Sequence, residues 1–203
     1  MAQDQKQEVI IEAAIKRFAH FGVTKTTMSE IAADLSLSKA SLYYYFPDKL
    51  NLYAAVLNKI TESAEGVDDE AINKAEDPFK AIVYFLERRT DFIIKYHNIL
   101  EFLKGFSPSK VPPELEPVFS QLKKKELARL TRIIEKGMDS GLFQIKDAKG
   151  TAALFFDFLE GFRSSVLFNS PNFFPEKKQF QSILKKEITF AQIFFNGLTI
   201  NTA

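Results

Sequence analysis

Apolar residues along this chain recur at intervals of three and four, the spacing of helix faces, and no stretch of any length alternates with the period of two that marks a strand. From Gln7 to Phe21 the positions Ile10, Ile11, Ala14, Ile15 and Phe18 fall on one such face, and Gly22 ends the helix. Thr27 stands three residues ahead of Glu30 in "TMSE", a capping box in which the hydroxyl takes one free backbone amide and the carboxylate another. A short helix is therefore expected from Met28 to about Leu35. Ser38 is placed to cap a third helix through "LYYYF", and "PDK" breaks it before a fourth from about Asp48 to Ser63.

The stretch from Glu62 to Asp77 is acidic and contains Gly66, so it reads as a helix end followed by a connection between domains. Asp77 and Pro78 then supply a cap and a first-turn proline for a long helix to about His97. Phe79, Ile82, Val83, Leu86, Ile93 and Ile94 make one stripe of it and Phe85, Phe92 and Tyr96 a second, which predicts burial on two sides. The proline-rich "GFSPSKVPPELEP" is loop. A helix follows to about Ser140, where Gly141 suits a left-handed cap, and two more are expected over about 147–169 and 175–198. The expected architecture is all-α. It divides into a three-helix head over 1–47, a connecting helix over 48–65 and a larger helical domain over 66–203.

Composition narrows what this bundle can do. At 203 residues and 46% hydrophobic content the chain buries a sizeable core. No apolar run reaches the roughly 18 residues of a spanning helix, and "MAQDQKQE" is not a secretory signal, so a cytoplasmic protein without membrane contact is expected. There is no cysteine, and the two histidines, His20 and His97, leave little scope for a metal site. No cofactor is expected. The net charge of +1 means that any nucleic-acid contact rests on a few placed residues and not on a broad basic field.

The side chains of the third helix point to such a contact. Two helices joined by "LSLS" have the length of a helix-turn-helix, although an ordinary helical hairpin has it too. At about 100° per residue, Leu42 and Phe46 fall together and can pack on Ile31 and Leu35. Opposite them lie Ala40 and Tyr44, flanked by Ser41 and Tyr43. A face of tyrosines, serine and alanine is poor design for solubility but suits a DNA groove: small residues permit close approach, hydroxyls bond phosphates or base edges, and a methyl can meet thymine. Lys39 at the helix start and Lys49 beyond its end are each placed to reach a phosphate.

"FAHFGVTKTTMSEIAADLSLSKASLYYYFPDKLNLYAAVL" resembles the N-terminal DNA-binding domain of the tetracycline-repressor (TetR) family over roughly residues 8–60. The resemblance implies an all-helical homodimer with a three-helix reading head, a connecting helix, and a larger domain that binds a small molecule and dimerises. It makes Lys39, Ala40, Ser41, Tyr43 and Tyr44 the groove-facing set and gives contacts to the DNA backbone to Thr27, Tyr45 and Lys49; Ser29 is a further candidate DNA-binding residue. Two positions depart from the family pattern: Ser36 where glycine is common, which should strain a left-handed turn slightly, and Tyr45 where histidine is frequent.

Beyond residue 60 the resemblance thins. All but three of the 21 phenylalanines, namely Phe18, Phe21 and Phe46, lie from Phe79 onward, which hints at an apolar cavity as well as a core. Candidate walls are Phe85, Phe92, Tyr96, Phe102, Phe106, Phe155, Phe158 and Phe162, with His97 or Arg163 holding a polar end of a small apolar or amphipathic effector. The last two helices are apolar on two sides and so require two partners, most simply the home domain and the same helices of a second chain. The expected function is a ligand-responsive dimeric repressor released from a palindromic operator. The alternatives are a helical protein-binding adaptor and a DNA-binding regulator without a small-molecule ligand. An enzyme is not expected, since no glycine-rich phosphate loop, nucleophile elbow or metal-spaced cluster is present in the sequence.

Overall fold

A computed structural model describes residues 2–106, 110–168 and 177–199, and within them the side chains other than those at 2–3, 64–68, 167–168 and 177. The helices are α1 (Ala2–Phe21), α2 (Met28–Asp34), α3 (Lys39–Tyr45), α4 (Lys49–Lys74), α5 (Pro78–Lys95), α6 (His97–Leu100), α7 (Glu116–Asp139), α8 (Ala148–Phe168) and α9 (Lys177–Asn196), with a 3₁₀ turn over Glu101–Gly105. Strand pairing among the described residues amounts to one bridge between Phe143 and Thr199. The helix ends expected at 169 and 175 lie outside the described residues.

The chain separates into two compact units, Met1–Glu65 with Lys95–Leu122, and Gly66–Ile94 with Lys123–Ala203. Residues 95–122, which the sequence placed in the larger domain, thus fall with the head. Their tie to it is specific. Asn98 Nδ2 donates to the Ala19 carbonyl at 2.7 Å, and the buried Tyr53 hydroxyl donates to the Ile99 carbonyl at 2.9 Å. Phe102 meets the Tyr53 ring edge-on at 5.0 Å. Burial drives the Tyr53 phenol far above its ordinary range, so it serves as a neutral donor. Inside the head Ile10, Ala14, Phe18, Ile31 and Leu42 are fully buried, which realises the faces read from their spacing.

The second unit is built around Ile82, Phe85 and Leu86 of α5, Leu130, Ile133 and Ile134 of α7, Phe155, Phe156 and Leu159 of α8, and Ala191 and Phe195 of α9. Phe143, just past α7, packs back over Gly137, where a Cβ would stand 2.0 Å from its ring; only glycine leaves that space.

The connecting helix is longer than expected. It was predicted to end near Ser63 because of Gly66 and the acidic run, yet α4 continues to Lys74. A single interior glycine costs only about 1 kcal/mol against alanine, and α7 supplies compensation. Asp69 takes Arg129 at 2.9 Å and Arg132 at 2.5 Å, and Lys136 Nζ donates to the carbonyls of Ile72, Asn73 and Ala75 at the helix end. The acidity that reads as a loop is the complement of cations 60 residues away.

Candidate nucleic-acid interface

The head is assembled from local chemistry. Thr27 is in extended conformation at the N-cap of α2; its hydroxyl accepts from the Glu30 amide at 3.3 Å, and the Glu30 carboxylate accepts from the Thr27 amide at 2.7 Å. Arg17 of α1 adds an ion pair to Glu30 at 3.3 Å and another to Asp34 at 2.5 Å. Bonds from the Thr27 backbone hold the Glu30 carboxyl below its usual range, and the Arg17 guanidinium does the same to Asp34.

Helix α2 ends in a paired-bond turn: the Ser36 amide donates to Ala33 and the Leu37 amide to Ala32, at 3.0 and 2.8 Å. Ser36 at its apex has φ of 53°, so the strain expected of serine at that position is present, at roughly 1–2 kcal/mol. Ser38 then caps α3 by accepting from the Ser41 amide at 3.0 Å.

This turn presents α3 with two distinct faces. Leu42 and Phe46 are buried, whereas Tyr44 is 72% and Tyr43 39% exposed, and Lys39 and Ala40 are exposed beside them. The Lys39 ammonium sits 5.7 Å from the Tyr43 ring centroid, and the rings of Tyr44 and Tyr45 meet edge-on at 5.2 Å. Ser29 is exposed, while Ser41 and Tyr45 are half-buried at the margins. The Thr27 hydroxyl is engaged on both sides by Glu30, accepting from its amide and donating to its carboxylate at 2.8 Å.

Lys49 differs from its expected role. Read as a cation free for phosphate, it is half-buried, and its ammonium donates to the carbonyls of Val23, Thr26 and Thr24 at 3.0, 3.1 and 3.5 Å. Spacing along one helix cannot show a bond back to a turn more than twenty residues upstream.

Comparisons with known proteins point to a helix-turn-helix regulator as well. The family described as "Bacterial regulatory proteins, tetR family" matches residues 10–56. A solved transcriptional regulator from Cytophaga hutchinsonii superposes with a TM-score of 0.84 at 30% identity, covering 96% of this chain and 99% of that one. Among curated proteins, the HTH-type regulator YuxN of Bacillus subtilis is 33% identical over 97 residues, 48% of this chain and 31% of its own length. YhgD of the same organism is 26% identical over 75% of this chain and 78% of its own. The chain belongs to the TetR family. TetR proteins are DNA-binding transcriptional regulators of helix-turn-helix type.

The residues expected around an effector in this TetR-family chain divide between the two units: Tyr96, His97, Phe102 and Phe106 belong to the first, and Phe85, Phe92, Phe155, Phe158, Phe162 and Arg163 to the second. Phe155 is fully buried and packs on Phe190, Phe194 and Phe195 at 5.1 to 5.5 Å. Phe158 is 58% exposed and stacks on Phe190 at 4.6 Å, so it belongs to a surface face.

Arg163 was expected, as an alternative to His97, to hold a polar end of the effector. Instead its guanidinium grips Glu187 of α9 through two bonds, at 3.0 and 2.7 Å, and reaches Thr90 of α5. It belongs to a buried ionic layer in which Arg89 of α5 also joins Glu126 of α7 and Glu160 of α8. Burial opposes these charges, but Glu126 and Glu160 keep Arg89 protonated, and Arg89 holds the Glu160 carboxyl below its usual range against the same cost. The sequence signal for this layer was faint: isolated charges on helix faces that are otherwise apolar.

Proposed function

We propose that this chain is a homodimeric repressor that reads a palindromic operator with α3 and releases it when a mostly apolar small molecule occupies its larger domain. The observation that carries the reading is the division of α3 into a buried Leu42–Phe46 side and an outward Lys39, Ala40, Tyr43 and Tyr44 side. In the groove, Tyr44 is the central reader. Lys39, Ala40, Ser41 and Tyr43 surround it, and Ser29, Thr27 and Tyr45 lie at the margins toward the DNA backbone.

The dimer reading is supported by an uncovered apolar stripe. Leu154 and Phe158 of α8 are 60% and 58% exposed, one turn apart, and continue toward the exposed Gly161; Ile193 of α9 is 69% exposed. Two copies of this pair of helices related by a twofold axis bury that stripe and leave small residues at the close approach. The paired reading helices then fall about 34–36 Å apart, one turn of duplex. The effector reading rests on the phenylalanine content of the second unit and on the family's habit, with Phe85, Phe92 and Phe162 as its retained wall residues and no carboxylate assigned to Arg163.

The test is selection of bound sequences from random duplex by the full chain, followed by mass spectrometry of gently extracted protein and a screen of fatty acids, aromatic acids and hydrophobic cations for release of the selected site. Enrichment of a palindrome, released by at least one compound class, is the expected result. No enrichment at low salt refutes the DNA reading, and enrichment without any releasing compound refutes the switch alone.

A further inference from the structure

We infer that Lys49 is a positioning residue for DNA reading, acting on the protein's own backbone and not on a phosphate; the inference rests on the assignment of the head as a DNA reader. A lysine ammonium has three N–H donors and no acceptor. In this structure three carbonyls converge on it, those of Val23, Thr24 and Thr26, so its donor capacity is filled within the protein. These carbonyls line the turn that follows α1, where Gly22 adopts φ of 80° and the chain doubles back toward α2.

The turn has modest support of its own. The Thr26 amide reaches Val23 at 3.3 Å, and the Thr26 hydroxyl reaches Gly22 at 2.9 Å. The turn follows directly on the C-terminus of α1, whose partial negative charge favours a cation nearby. Thr26 is buried, and the next residue is Thr27, the N-cap from which α2, and through its turn α3, takes its direction. Lys49 is also the first residue of α4. One side chain therefore fastens the start of the connecting helix to the turn that aims Thr27 and Ser29.

The experiment uses the full chain and a duplex selected by the wild-type protein, with affinity measured over a range of salt. Lys49→Met keeps the stem and removes every donor. It should weaken binding about 10- to 100-fold at each salt concentration while leaving the slope of log K against log salt unchanged, because no phosphate contact is lost. Lys49→Arg guards against a variant that fails to fold. A planar fork does not converge on three carbonyls as an ammonium does, so it too should bind more weakly at unchanged slope, whereas a phosphate-binding position would accept arginine without loss.

A double-mutant cycle separates positioning from general destabilisation: Thr27→Ala should cost less affinity in the Lys49→Met background than in the wild type. Additive costs, a slope reduced by about 0.9 in Lys49→Met, or wild-type affinity in either variant would each overturn the inference. Failure of the wild-type chain to enrich any duplex removes the DNA reading, and this inference with it.

Discussion

Replacing Arg163 with methionine tests whether the ionic layer in the second unit is a structural clasp. The side chain of Arg163 is 9% accessible and that of Glu187 is 0% accessible, and they share two short bonds. Methionine retains much of the stem's volume but leaves the Glu187 carboxylate buried and unpaired. Breaking a buried pair from one side costs about 3–5 kcal/mol. For a chain of this size each kcal/mol shifts Tm by roughly 2–4 °C, so a fall of roughly 6–20 °C is expected at fixed protein concentration.

Removing both charges together, as Arg163→Met with Glu187→Leu, leaves only the bond to Thr90 unmade, and should restore most of the loss or exceed wild-type stability. The assay is thermal and urea unfolding followed by circular dichroism, with the concentration dependence recorded because the proposed dimer would contribute to stability. A single-variant cost below about 1 kcal/mol would show that water screens the pair and that the burial argument is wrong. A double variant no better than the single would show that packing, and not charge, is what the site loses.

Tyr44→Ala and Lys39→Ala should each weaken binding to the selected duplex by about 1–3 kcal/mol without lowering Tm, since neither side chain lies on the buried face of α3; wild-type affinity in Tyr44→Ala refutes the groove assignment. Ile193→Glu combined with Phe158→Glu should convert the dimer to monomer in sedimentation at micromolar concentration, and an unchanged dimer places the interface elsewhere. Thr27→Ala should cost about 0.5–2 kcal/mol as a lost cap, read as a lower unfolding midpoint. Glu30 and Asp34 are held below their ordinary values in the folded head; their contribution is therefore present above the unfolded carboxylate range near pH 4 and disappears as pH falls through the folded values. Hydrogen exchange in α1 and α2 should rise over that acidic window in wild type and less in Arg17→Met.

Local chemistry was fully written in the sequence. The face of α1, the Thr27–Glu30 box, the Ser38 cap and the glycine stops at 22 and 141 depend on residues within a few positions of one another, and helix periodicity alone separates Leu42 from Tyr44. For the same reason the exposed and buried faces of α3 could be drawn before any fold was known. The left-handed strain at Ser36 was foreseen only through the family resemblance. What the tertiary structure decided is where distant groups meet. The continuation of α4 through an acidic stretch depends on cations of α7, the orientation of Lys49 on a turn more than twenty residues earlier, and the pairing of Arg163 on a glutamate of α9. A charge has no preferred direction along the chain, and its partner is fixed only when packing brings an opposite charge or a row of carbonyls within reach. Apolar faces announce themselves by period, but a buried ion or a bound lysine is visible only after the chain has closed around it.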